Sequence, residues 1–239
     1  MANEVVASPS TGALDVAPPR LDKRQFASGW WRGEHASYRL AKRALDLVLA
    51  VLLLLITSPI LLAAGAAIRL DSKGPAVFKQ TRIGRGGRPF KLYKFRGMYA
   101  DARERFPDLY VYRYRLEDLS SLRFHPMNDP RVTRVGRILR RTSIDELPNL
   151  INVLLGEMSL VGPRPEIPEM LPLYGEAQPL ILAVKPGVTS PAKAGGRDEL
   201  TFSETLALDI DYVLNRSFAL DIRVLGQTVM AVLRQDGVD

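Results

Sequence analysis

The stretch LLITSPILL, residues 54–62, sets a serine and a proline in the middle of the most apolar part of the chain. Inside a helix a proline removes a backbone hydrogen bond and clashes with the preceding turn, at a cost of about 3 kcal/mol. The uncharged run around it covers residues 47–68. As a straight helix that run is about 33 Å long, enough to cross a hydrocarbon core of roughly 30 Å. Basic residues flank it on both sides, Arg39, Lys42 and Arg43 before it and Arg69, Lys73, Lys79 and Arg82 after it. Positive charge marks the cytoplasmic face, so a spanning helix is expected to be asymmetric. A break at Ser58 and Pro59 leaves two arms of about 16 Å each. A helix-break-helix that enters one leaflet and returns accounts for both features, with the Ser58 hydroxyl serving carbonyls freed by Pro59. A kinked helix that still spans is the alternative; the residues alone lean to the return path.

Outward from this segment, the chain has 239 residues, room for one domain with appendages. Its formal net charge of +7 implies an anionic partner: a phosphate, a nucleic acid or an acidic membrane face. With no cysteine, a disulfide framework and a thiolate metal site are both excluded. The Ser/Pro/Ala-rich start, VASPSTGALDVAPP, lacks the hydrophobicity to fold alone and is expected to be disordered. The apolar run begins too late, and is too long, for an ordinary signal peptide.

After the membrane segment, AVFKQTRIGRGGRPFKLYKFR (residues 76–96) reads as two short strands around a Gly-rich turn. GRGG has neither the spacing nor the strand-to-helix context of a phosphate-binding loop. Residues 100–122 are charged and read as helix broken near Pro107; residues 125–136 read as loop. His35 and His125 form no metal-site pattern. Apolar positions 220, 224, 225, 229, 232 and 233 share one helical face, which suits a membrane interface or a core equally.

The chemistry concentrates in RVGRILRRTSIDELPNLINVLLGEMSLVGPRPE (residues 134–166). Ser143 and Glu146 have capping-box spacing, and Pro148 is comfortable only in a first helical turn. Asp145 and Glu146 are therefore expected at a helix N-terminus, where acidic residues often do no more than complement the helix dipole. Arg137, Arg140 and Arg141 precede the pair and Arg164 follows the helix. Cations and free N–H groups around two carboxylates make a site for phosphate and a divalent cation. From chemistry alone, dipole complement and site stand level.

KRALDL, SP, GPAVFKQTRIGRGGRPFKLYKFRGM, DPRVTRVGRILRRTSIDELPNLINVLLGEMSLVGPRPE, VKPGVT and GGRDE together resemble the bacterial sugar transferases, the monotopic phosphoglycosyl transferases. The likeness runs from about Tyr38 to the C-terminus and is similar to the small form, without the four-helix membrane region of larger members. It implies transfer of a sugar phosphate from a UDP-sugar to polyprenol phosphate, releasing UMP and beginning surface glycoconjugate synthesis on the cytoplasmic face of the bacterial inner membrane. It further implies that Asp145 is the nucleophile, forming a phosphosugar-enzyme intermediate, and that Glu146 holds Mg2+. A carboxylate is a weak nucleophile, so metal and arginines must screen its repulsion from a diphosphate. Lys94, Arg96, Arg140, Arg141 and Arg164 are the expected phosphate-holding residues, and Ser58 and Pro59 the membrane-helix break.

The expected fold is mainly α with a small β-hairpin: a monotopic membrane protein with an N-terminal re-entrant helix-break-helix and interfacial amphipathic helices. Residues 1–37 form an extension, 38–72 the re-entrant helix and 73–239 a cytoplasmic catalytic domain. The sequence departs from the family pattern at Gly97, where Ser or Thr is frequent, at Glu157, where Asp is common, and across residues 187–200. The last departure bears on substrate choice. A non-catalytic membrane module binding acidic lipid stays open as a second reading, and so does a homo-oligomer. Nucleic-acid binding suits the charge but not the membrane segment or the lack of a recognisable module.

Overall fold

The computed structural model describes residues 36–110, 129–196 and 200–234. Nearly all of the expected extension, the second half of the 100–122 segment, both histidines, positions 197–199 of the departing 187–200 segment and the last five residues lie outside these. A single helix, α1 (Ala36–Asp71), carries the whole apolar run. Among the described residues it is the one helix long and apolar enough to cross a membrane.

The expected break at Ser58 and Pro59 is not a break in secondary structure: α1 is helical through both. The local hydrogen bonds give the reason. Proline has no N–H for the carbonyl four residues back, which here is that of Leu55. Ser58 Oγ donates to the Leu55 carbonyl at 2.8 Å, and Thr57 Oγ1 donates to that of Leu53 at 2.6 Å. The hydroxyl thus performs the expected service, and the helix continues.

Both ends of α1 are fastened to the rest of the chain, while its middle is bare. At the N-terminal end Ala50 joins the main core, Asp46 Oδ1 accepts from Ser159 Oγ (3.0 Å) and Leu160 N (2.9 Å), and Lys42 pairs with the buried Asp221 at 3.0 Å. Tyr38 and Tyr212 donate to the same Asp221 carboxylate, and Arg43 donates to the Val153 and Leu154 carbonyls. At the C-terminal end Ala64 and Ile68 form a second cluster with Phe95 and Leu139. Between them Leu55, Ile56, Ile60 and Leu62 are exposed, Leu62 by 77%.

The hairpin forms as expected. Strands β1 (Val77–Ile83) and β2 (Pro89–Phe95) pair antiparallel, with Val77 opposite Phe95 and Ile83 opposite Pro89. Gly86 and Gly87 at the turn have φ of 69° and 76°, which glycine adopts without steric cost. The short helix α2 (Ala102–Arg105) and a 3-10 turn (Pro107–Tyr110) follow, so the chain does break at Pro107.

Helix α3 (Arg134–Arg141) is N-capped by Thr133, whose hydroxyl accepts from Gly136 N. Helix α4 (Asn149–Leu155) starts after Pro148. The fully buried Asn152 accepts from Tyr93 N (3.0 Å) and donates to the Lys91 carbonyl (2.7 Å), clamping the hairpin to α4. Glu157 accepts from the same amide, so the family departure at that position has a partner. The chain then forms strand β3 (Ser159–Val161), a long 3-10 segment (Pro168–Ala177) and helix α5 (Gln178–Ile181).

Strand β4 (Gly187–Thr189) pairs parallel with β3, a second sheet not anticipated from the sequence. Helix α6 (Pro191–Gly195) is capped by Ser190, and α7 (Phe202–Asn215) by a true capping box between Thr201 and Glu204. Helix α8 (Phe218–Arg234) puts part of its apolar surface into the core and leaves part of it exposed. Val224 and Ala231 are buried, while Phe218, Ile222, Val229, Met230 and Leu233 form an exposed apolar stripe.

Candidate active site

Asp145 and Glu146 do not open a helix; they sit in a 3-10 turn (Ile144–Glu146) between α3 and α4. Ser143 does not cap them. It lies just past the end of α3 with φ 56°, ψ 15°, in the left-handed region, and makes no side-chain cap bond. That conformation is common just after a helix C-cap, usually with glycine. For serine it costs about 1–2 kcal/mol. Ser143 is the one non-glycine residue with positive φ among the described residues, and it aims the turn that carries the two carboxylates.

Asp145 is buried, 3% exposed, and its Oδ2 lies 2.9 Å from Lys94 Nζ, on β2. Lys94 reaches Glu146 Oε1 at 3.4 Å, and Lys193, on α6, takes Glu146 Oε2. Burial alone would lift the Glu146 carboxyl, but the Lys193 and Lys94 ammoniums hold it well below the usual carboxylate range. Burial pulls Lys94 down, yet Asp145 and Glu146 win and its ammonium is held above its ordinary value. For Lys193 burial wins over Glu146, with Lys94 and Arg164 adding to the downward pull.

Of the expected phosphate-holding residues, the structure gathers three around the acidic pair. Lys94 touches both carboxylates, Arg140 is near enough to act electrostatically on Lys94, and Arg164 acts on Glu146 and Lys193. Arg141 is exposed on α3. Arg96 is placed elsewhere. Its buried guanidinium donates to the carbonyls of Lys73 (2.5 Å), Ser72 (2.7 Å) and Ile68 (3.3 Å) at the C-terminal end of α1. Unsatisfied carbonyls at a helix end draw such a cation, and Arg96 fastens the C-terminal end of α1. At Gly97 an added Cβ would meet only ordinary contacts, the nearest being Arg140 Nε at 3.4 Å.

Lys193 was not singled out from the sequence, and neither was Asp209. The buried Asp209 accepts the Arg164 N–H at 2.9 Å, and its other oxygen has no partner. Burial pushes its carboxyl up to about 7, against the pull of the Arg164 N–H and guanidinium. A shallow cleft lined by Arg164, Glu166 and Tyr174 shares Arg164 with the site but contains neither Asp145 nor Glu146.

Among the described residues no three acidic or histidine side chains converge to cage a metal. Mg2+ rarely needs such a cage, because one or two carboxylates and substrate phosphates suffice. Glu146 fits that role: its Oε2 already carries a cation, the Lys193 ammonium.

Residues 37–235 match the family described as bacterial sugar transferase. This chain belongs to that family. A bacterial sugar transferase of Bacillus subtilis, the uncharacterized sugar transferase EpsL, is 43% identical over 83% of this chain and 90% of its own. The UDP-glucose:undecaprenyl-phosphate glucose-1-phosphate transferase of Caulobacter vibrioides is 42% identical over 82% of this chain and 71% of its own. The undecaprenyl-phosphate galactose phosphotransferase of Salmonella typhimurium is 38% identical over 84% of this chain, which spans only 42% of that protein's length.

Proposed function

We propose that this bacterial sugar transferase moves a sugar 1-phosphate from a UDP-sugar to polyprenol phosphate through a covalent phosphosugar-Asp145 intermediate. The observation that carries the reading is the buried Asp145 carboxylate held at 2.9 Å by Lys94, beside a Glu146 paired to a second lysine. An Asp145 oxygen attacks the phosphorus that bears the sugar. The new P–O bond forms as the P–O–P bridge breaks, and UMP leaves with the bridging oxygen and its electron pair. An oxygen of polyprenol phosphate then attacks the same phosphorus and expels the carboxylate, giving a diphosphate-linked sugar. Lys94, Arg140, Arg164 and Lys193 offset the negative charge that gathers at the phosphorus. Mg2+ held by Glu146 and the diphosphate would supply further charge neutralisation.

The site is proposed to lie on the cytoplasmic face of the inner membrane, with α1 entering one leaflet and returning by a bend near Pro59. Fastening supports this path. Residues 38–50 are tied to Ser159, Leu160 and Asp221, and residues 64–71 to Phe95, Arg96 and Leu139. Those two regions are joined through Asn152, so one body holds both ends of the helix, leaving the apolar middle for lipid. The exposed stripe of α8 suits the interface.

The activity is tested by screening UDP-sugars for UMP release that depends on added polyprenol phosphate and yields a labelled lipid; no release with any UDP-sugar favours the non-catalytic membrane module. The path is tested by labelling Ala36→Cys and Arg234→Cys variants, since the chain has no other cysteine. Both positions should be shielded from a membrane-impermeant maleimide in intact spheroplasts and labelled in inverted vesicles. Labelling of position 36 alone in spheroplasts would mean a spanning helix.

A further inference from the structure

Lys193 stands apart from the other cations of the site. Its ammonium donates to Glu146 Oε2 and, at 2.9 Å, to the Val188 carbonyl. With Lys94 on Asp145 and on Glu146 Oε1, two ammoniums cancel two carboxylates in a closed cluster. Lys94, at the Asp145 side of the cluster, is 29% exposed. The Lys193 and Glu146 side chains are 30% and 22% exposed, whereas Asp145 is sealed beneath them. A cation approaching Glu146 therefore meets an oxygen already occupied by an ammonium. Lysine is a point charge on a flexible four-carbon stem and moves readily. The base of that stem is fixed, because Ser190 caps α6 by accepting the Lys193 backbone N–H. Only the ammonium needs to move, and an arriving diphosphate would offer it an anion.

We propose that Lys193 is the resident counter-cation of Glu146, competing with the divalent metal for that carboxylate and passing to the diphosphate when nucleotide binds. The proposal rests on the reading of Asp145 and Glu146 as the phosphosugar-transfer site. It gives Lys193 opposite effects on two ligands. Without the ammonium, metal binds a freer carboxylate and binds more tightly, while the nucleotide loses a contact and binds more weakly. The handover also makes metal and nucleotide assist each other, and such coupling is reciprocal. A lysine that served structure alone would not improve metal binding when removed.

The test uses the full chain in nanodiscs, with Mn2+ as the metal probe followed by electron paramagnetic resonance and UDP as the nucleotide probe. Lys193→Gln should tighten Mn2+ binding in the absence of nucleotide by about fivefold, the worth of one partly exposed ion pair. It should weaken UDP and shrink the enhancement of Mn2+ binding by UDP. Lys193→Arg keeps the charge and should leave Mn2+ affinity close to that of the parent. Unchanged or weaker Mn2+ binding in a folded Lys193→Gln protein overturns the proposal. So does equal tightening in Lys193→Arg, or absence of Mn2+ binding in parent and variant alike. Full transfer activity in Asp145→Asn would instead sink the reading of the site and leave the Mn2+ isotherms untouched, so the two failures are distinguishable.

Discussion

Asp145→Asn is expected to abolish sugar-phosphate transfer, lowering the rate at least about a thousandfold, as loss of a nucleophile does in other covalent enzymes. Asparagine has nearly the same shape and fills the same buried place in the turn before α4. Its neutral amide is not a nucleophile toward phosphorus. The ion pair with Lys94 is lost, but Lys94 keeps Glu146 at 3.4 Å, so the ammonium is not left without a carboxylate. The turn itself is set by Ser143 and Pro148 rather than by the Asp145 side chain. Activity should therefore fall far more than stability. Labelled-lipid formation read beside a thermal melt checks both.

Gly187→Ala is expected to cost about 3 kcal/mol or more in stability, the upper range for overpacking. A Cβ at this position would lie 2.2 Å from Gly162 N, 2.3 Å from the Thr189 carbonyl oxygen and 2.5 Å from that of Gly162. All three are backbone atoms, so no side chain can turn aside. The ladder they belong to joins Gly187 N to the Pro163 carbonyl at 2.9 Å and Gly162 N to that of Thr189 at 3.0 Å. One strand of the pair leads into Arg164 and the other into Ser190 and Lys193. Prying them apart separates cations that flank Glu146, so activity should drop beyond what the loss of folded protein explains. Denaturant melts and transfer rates normalised to folded protein measure the two effects.

Much of the architecture was legible in local pattern. The hairpin followed from β-rich runs around glycines, and Gly86 and Gly87 do take the positive φ that such a turn needs. The Ser58–Leu55 hydrogen bond followed from proline chemistry, although it preserves the helix rather than marking its end. The basic flanks of the apolar run were legible as charge but not as contact. Lys42 and Arg43 are engaged in fastening α1 to Asp221 and to the end of α4.

Elsewhere the pattern had two readings. Ser143 and Glu146 have the spacing of a capping box, but α3 ends at Arg141 with Thr142 as its C-cap, which leaves Ser143 in the left-handed region. Thr201 and Glu204 have the same spacing, Thr201 is extended rather than left-handed, and there the box forms. The β3–β4 pair could not be read, because three-residue strands carry no usable period and their pairing spans a long 3-10 segment and α5. Lys193 was hidden for the same reason: only that pairing brings α6 to Glu146. Arg96 lies two residues after Lys94, where a continued strand would turn both to one face, but β2 ends at Phe95 and the Arg96 guanidinium goes to the end of α1 instead of the site.

The covalent role of Asp145 is the claim on which the rest depends. The most direct measurement is mass spectrometry of peptides from protein incubated with UDP-sugar and Mg2+ in the absence of polyprenol phosphate. The account predicts a sugar-phosphate adduct on Asp145 that disappears when polyprenol phosphate is added and never forms in Asp145→Asn. Turnover to lipid-linked product with no adduct on Asp145, and an Asp145→Asn protein that still transfers, would contradict it.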